Sequence, residues 1–303
     1  MGNQGRLRSA IETVLLGRQM AGGGWSYLKA SGQPSFEATT LSLLAITDAN
    51  ACKRATECLL RSQNANGSWP AFEGDDDQGS WVTGLALVAL RNAGSAIESR
   101  LRAARWLLNT SGREAHWLWK WKFRLFDRHV AFDPQLYGWP WTPGTNSWVV
   151  PTAFAMLGLE SLPCECGLPD YSRRMSLGAS MLLDRSCPSG GWNSGNSSVY
   201  GSPLAPHIDD TAVALLALHR RGPDHPKVVA GVDWLERNSR AVCPSASLAL
   251  SVIALSLYQR PTQSLLDLLE SVEPSLVENS ATLALVLIAL DAARGTSAFG
   301  ETL

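Results

Sequence analysis

The sequence predicts an all-α fold, a single (α/α)6 toroid in which six outer helices surround six inner ones, and three observations carry that prediction. A short run of Thr, Ala and Leu recurs at 39–46, 83–90, 152–159 and 211–218, with weaker copies at 248–255 and 283–290. An amphipathic segment precedes each copy. In the first four repeats a turn bearing Gly and Trp joins the two. Internal repetition of this kind marks stacked helical pairs, none of which buries its apolar faces alone. The recurring runs are apolar almost all round, so an open array would leave one face of each wet, and closure into a ring is expected. One domain spans 1–303, with repeats at about 6–46, 52–90, 97–159, 172–218, 226–255 and 263–290.

In the first repeat, Leu7, Ile11, Val14 and Leu15 follow the spacing of an amphipathic outer helix over 7–19. Gly22-Gly23-Gly24 stops it, because residues without side chains favour a left-handed turn over helix continuation. Ser35 is placed to cap the inner helix that runs to Ile46, with Glu37 in its first turn. The second repeat turns at Asn66-Gly67-Ser68-Trp69 and has its inner helix at 81–90. The third is longer, because a Trp-rich insertion at 116–128 precedes Gly138-Trp139-Pro140-Trp141 and the inner helix after Trp148. Repeat four runs through 176–183 and Gly190-Gly191-Trp192 to the inner helix that begins near Asp209. Repeats five and six have lost the Gly and Trp turn, as end repeats of such arrays commonly do. Aligned on their recurring Thr, the inner helices register at Thr39, Thr83, Thr152, Thr211, Leu248 and Leu283.

Gln19-Met20-Ala21-Gly22-Gly23-Gly24-Trp25 and Gln63-Asn64-Ala65-Asn66-Gly67-Ser68-Trp69 both fit Gln-x-x-x-Gly-x-Trp, and 186–192 fits it with Ser186 in place of Gln. This resembles the repeat motif of squalene cyclases and of protein prenyltransferase β subunits, whose domains are α/α toroids. The motif itself reads as structural: the Gln bonds exposed backbone at a helix end while the Trp ring covers it.

Pro206-His207-Ile208-Asp209-Asp210-Thr211-Ala212 heads the one inner helix that carries two acids in its first turn. It resembles the Asp-x-Asp-Asp-Thr-Ala acid motif of class II terpene cyclases, with His207 at the first Asp. The resemblance implies protonation-initiated cyclisation of a linear isoprenoid, with Asp209 as the acid, and with Asp210 and His207 tuning it. An alkene is a poor base, so the acid must be kept neutral in a dry cavity. First-turn carboxylates also favour the helix dipole without any chemistry. At the register of Asp209 the other inner helices carry Glu37, Trp81, Val150, Ala246 and Ala281. Repeats one and four lie opposite in a ring of six, so Glu37 and Asp209 are expected to face each other across it, suited to acid and base work. Trp81, Trp139, Trp141, Trp148 and Phe154 fall at or near the starts of inner helices, where ring faces would stabilise a passing cation or simply pack.

Two other readings of this pattern are a non-catalytic isoprenoid-binding or partner subunit and a carbohydrate-active toroid that uses Glu37 and Asp209 as paired carboxylates. A prenyltransferase would need a zinc site, and no Asp-x-Cys with a later His supplies one. No cofactor is expected, and Mg2+ enters only if the substrate is a diphosphate. The acidic run 73–77 reads as a solvated loop, and Cys164-Glu165-Cys166 as two thiols in another. In 116–128, Lys120, Arg124 and Arg128 recur at helical spacing among aromatic residues, which suits a membrane surface, a lid or a partner. The net charge of -1 offers nothing to attract nucleic acid. The opening residues lack the apolar core of a signal peptide and the run 280–290 is too short to span a bilayer, so a cytoplasmic location is expected, with membrane association through 116–128 left open.

Overall fold

The computed structural model describes residues 3–29, 31–93, 96–125, 132–163, 167–241 and 244–299. The inner helices are α2 (Phe36–Ala45), α4 (Val82–Ala89), α7 (Val149–Glu160), α9 (Ile208–Leu218), α11 (Ser245–Leu257) and α13 (Ser280–Ala292). Each packs on the next, and α13 packs back on α2, so the ring closes. Outside it stand α1 (Asn3–Arg18), α3 (Ala49–Arg61), α5 (Ile97–Asn109), α8 (Tyr171–Asp184), α10 (Pro226–Asn238) and the short α12 (Gln263–Leu269). The insertion contributes α6 (Trp117–Leu125).

The first outer helix leans on the last inner one and forms the seam. Arg8 of α1 donates from Nε and Nη2 to the two oxygens of Asp291 in α13, at 2.8 and 3.1 Å. At its other end Arg18 donates to the carbonyl of Val277 at 2.7 Å. Elsewhere in the inner ring α4 and α7 come closest, through Gly84 and Gly158. A Cβ on Gly84 would lie 2.4 Å from the Phe154 carbonyl oxygen.

The recurring Thr and Trp form one device, repeated four times. The ring N–H of Trp25, Trp69, Trp139 and Trp192 donates to the carbonyls of Leu15, Leu59, Leu107 and Leu182 at 2.6–2.8 Å, tying each turn to its own outer helix. The backbone N–H of the same four residues donates to the hydroxyls of Thr39, Thr83, Thr152 and Thr211 at 2.9–3.0 Å. The repeats with Leu248 and Leu283 at the register position have neither the Thr hydroxyl nor the Trp ring of this device. The Gln residues act as expected. Gln19 Nε2 donates to the carbonyls of Gly23 and Ala51, and Gln63 Nε2 to those of Gly67 and Ser99, which joins each turn to the first turn of the next outer helix. Ser186 has no such reach and bonds locally to the Leu183 carbonyl, which Lys227 Nζ also contacts at 2.8 Å. Ser35 caps α2, accepting from the Ala38 N–H at 3.5 Å.

The connections from outer to inner helices all gather at one end of the ring. Neighbouring connections are stitched together by backbone bonds: Phe36 N–H to Ala71, Trp81 to Trp141, Val149 to Ser194 and Ser280 to Tyr27, each at 2.9–3.0 Å. These bonds also satisfy N–H groups that the start of a helix leaves open. Two small hairpins, Trp25–Ser26 with Pro34–Ser35 and Ser198–Val199 with Ser202–Pro203, lie in this belt. No described helix is long and apolar enough to cross a membrane.

Candidate active site at the mouth of the ring

Because the inner helices share one register, residues two before, two after and five after the register position form a single stripe on each, at i, i+4 and i+7. That stripe faces the ring axis. Trp81 and Phe154, on neighbouring helices, stand 5.5 Å apart between ring centroids, and Val88 and Leu157 line one hollow at the far end.

The outermost layer, at the belt end, is Glu37, Trp81, Val150, Asp209, Ala246 and Ala281. Asp209 is exposed, Glu37, Trp81, Val150 and Ala246 are half-buried, and Ala281 is buried. The middle layer is Leu41, Leu85, Phe154, Val213, Leu250 and Leu285, none more than 8% exposed. The axis is therefore closed at its middle. The central cavity expected from the sequence is corrected: the axis is filled at its middle, the layer holding Glu37, Trp81 and Asp209 forms its belt end, the mouth, and a separate hollow of about 520 Å3 lies at the other end, where Arg91, Arg100 and Arg220 join Val88, Leu157 and Phe299. The middle filled because the axial positions carry branched and aromatic side chains on all six helices.

Glu37 and Asp209 stand in opposite members of the ring, as the repeat count implies. Helices pack at about 8–10 Å, so opposite ones are about 16–20 Å apart. Their surroundings differ. Burial pushes the Glu37 carboxyl up to about 6, whereas Asp209 stands in water. His207 does not reach Asp209: its Nδ1 lies 2.9 Å from Asp210 Oδ2, and Ser194 Oγ donates to the same oxygen at 3.4 Å. Burial raises the Asp210 carboxyl above its usual range, and the His207 contact pulls it back. A dry, protonated Asp209 tuned by His207 is thus replaced by an exposed Asp209 beside a separate His207 and Asp210 pair.

The aromatic set divides. Trp141, 37% exposed at the rim, meets Trp81 edge to face at 5.2 Å, and Trp81, Phe154 and Phe299 continue inward as a ladder. Trp139 and Trp148 are corrected. Trp139 is one of the four wall tryptophans, fully buried, with the Arg174 guanidinium 4.1 Å from its ring centroid. Trp148 lies off the axial stripe, in a small hollow with Glu114, Phe132, Arg185 and Gly195.

Sequence reading missed the supports of the mouth. Glu114 and Arg185 are both buried. Glu114 accepts the Ser147 N–H at 3.1 Å, and Arg185 Nη1 donates to the Gly195 carbonyl at 2.8 Å, which holds the loop carrying Ser194 to Asp210. Their only signal was a lone acid and a lone base in connecting segments. Asp76 Oδ1 accepts the N–H groups of Gln78 and Gly79, so the 73–77 run folds on itself. Among the described residues no three His, Cys, Asp or Glu side chains are grouped to hold a metal ion. Cys164-Glu165-Cys166, Cys243, Arg128 and the side chain of Arg124 lie outside the described residues.

No protein-family profile matches the sequence, and no curated protein matches it. Solved structures do match. A protein from Actinoplanes aligns with a TM-score of 0.60 at 15% identity, over 96% of this chain and 99% of that one. The type II terpene cyclase MstE from Scytonema, in complex with its product merosterolic acid A, aligns with a TM-score of 0.62 at 14% identity, over 96% and 97%. A glycosidase variant aligns equally well, with a TM-score of 0.62 at 12% identity over 96% and 97%. The toroid is thus a fold shared with type II terpene cyclases and with glycosidases, and at these identities the likeness is one of fold.

Proposed function

We propose that the mouth takes an apolar, isoprenoid-type substrate and that Glu37 and Asp209 carry acid and base chemistry on it, a terpene cyclase-like reaction. The observation that carries this reading is the composition of the mouth layer: four apolar side chains, Trp81, Val150, Ala246 and Ala281, interrupted by two facing carboxyls of different burial. A sugar site would need polar partners where Val150, Ala246 and Ala281 stand.

Glu37 replaces Asp209 as the proton donor in this reading. A carboxyl that titrates near 6 protonates an oxygen far more readily than a bare alkene, so an epoxide at the end of the isoprenoid is the preferred substrate. Glu37 gives its proton to the epoxide oxygen as the C–O bond breaks, and a neighbouring double bond supplies the electron pair for the new C–C bond. The cation rests against the face of Trp81. Asp209 takes a proton from the carbon beside it, which leaves a double bond in the product. Asp210, held by His207 and Ser194, positions the start of α9.

The test incubates the protein with linear isoprenoids and their terminal epoxides and analyses the products by mass spectrometry. A cyclic alcohol from the epoxide, absent in Glu37→Gln and Asp209→Asn, is the expected result. Bound but unchanged isoprenoid in every variant would leave a binding subunit in its place. The carbohydrate reading draws on the exposure of Asp209 and on the presence of two carboxyl residues on opposite inner helices. Reducing ends released from oligosaccharides, with no isoprenoid product, would establish it instead.

A further inference from the structure

Among the described residues, ten of the thirteen large apolar side chains that are exposed lie in connections from outer to inner helices. The other three, Ile97, Val229 and Leu268, are scattered on outer helices. None lies in a connection at the opposite end. Backbone bonds stitch the outer-to-inner connections into one belt, so most of the exposed apolar surface belongs to the connections that surround the mouth. Monomeric surfaces scatter such residues singly, and concentration on one face marks a surface that is covered in use.

The chemistry of the face identifies the cover. Trp117, Leu118 and Trp121, at 64, 54 and 66% exposed, make one stripe of α6, and Leu276 and Tyr200 stand out further at 77 and 75%. Leucines among the aromatics do not serve a sugar, which stacks on rings. Flanking the α6 stripe are Lys120 and Lys122, with Arg113 near, and the Lys122 and Arg113 cations lie 4.6 and 4.9 Å from the Trp119 ring centroid. Tryptophan and leucine that enter an interface with lysines beside them at headgroup depth are the pattern of an interfacial helix. The acidic run 73–77 shares the face, so insertion is led from the α6 side. We infer that this protein docks on a lipid bilayer through the mouth face, with α6 inserted and its lysines on anionic headgroups. Docking covers the mouth with lipid, which removes water from around Glu37 and Asp209, and the inference stands whatever reaction takes place there.

The experiment is vesicle flotation of the full chain, with phosphatidylcholine vesicles prepared with and without phosphatidylglycerol. Binding to the anionic vesicles is expected, weakened at least about tenfold by Trp117→Ser with Trp121→Ser and, at low salt, by Lys120→Glu with Lys122→Glu. All four side chains lie on an insertion outside the ring, and circular dichroism melts of both variants are expected to match the parent. No flotation on either vesicle would overturn the inference, as would flotation that the Trp substitutions leave unchanged. A parent dimer in light scattering that the same Trp substitutions convert to monomer would assign the face to a second copy of the chain.

Discussion

Glu37→Gln separates the structural cost of the mouth from its chemistry. Burial lifts the Glu37 carboxyl from 4.5 to about 6, so the folded state holds this proton more tightly than the unfolded chain does. The resulting stabilisation is fully present below about pH 4.5 and is lost as the pH rises through 6. The gap corresponds to roughly 2 kcal/mol, reduced to about 1–2 because the half-buried side chain still meets water. Glutamine is neutral at every pH and lacks the term. Urea melts of parent and variant are therefore expected to coincide near pH 4, and at pH 7.5 the variant is expected to be the more stable by about 1–2 kcal/mol, or roughly 2–6 °C in a thermal melt. The same variant is expected to form no product. Other titrating groups cancel in the difference between the two proteins, which makes its pH dependence specific to Glu37. A difference that is the same at both pH values, or a variant less stable at pH 7.5, would refute a buried, proton-retaining Glu37.

Three further perturbations test the ring itself. Thr211→Val strips the acceptor of the Trp192 N–H, now 2.9 Å away, inside a buried turn, and urea melts are expected to lose about 1–3 kcal/mol. Gly84→Ala forces a Cβ against the Phe154 carbonyl at 2.4 Å. With backbone on both sides and no flexible side chain to yield, a loss of about 3 kcal/mol is expected in the same assay. Asp291→Asn removes the charge that receives Arg8 at the seam between α13 and α1. Its cost of about 1 kcal/mol is expected to shrink in high salt, since both side chains are partly open to water.

Much of this architecture is written locally. The apolar run at each register, the glycine turns, the Ser35 cap and the Gln19 and Gln63 staples depend on residues within one repeat and its neighbour, so spacing and side-chain type decide them. Ring closure follows from six copies of a helix apolar on nearly every face. Even the opposition of Glu37 and Asp209 is a matter of counting repeats. None of this required knowing what lies across the axis.

The rest depends on what distant segments bring. Trp139 and Trp81 look alike in sequence, each near the start of an inner helix. Only packing distinguishes them: the Leu107 carbonyl and Arg174 claim Trp139 for the wall, while Trp81 has Trp141 and Phe154 beside it on the axis. His207 and Asp210 pair because three helical residues bring them together, whereas Asp209 points elsewhere on the same turn. That burial raises the Glu37 carboxyl is a matter of desolvation, and desolvation is a sum over neighbours from several repeats. The sequence by itself therefore determined the toroid, its register and the two acids at its mouth. The tertiary structure decided that the axis is closed beneath them, that Glu37 is the more buried of the two, and that most of the large apolar residues left exposed lie in the connections at one end.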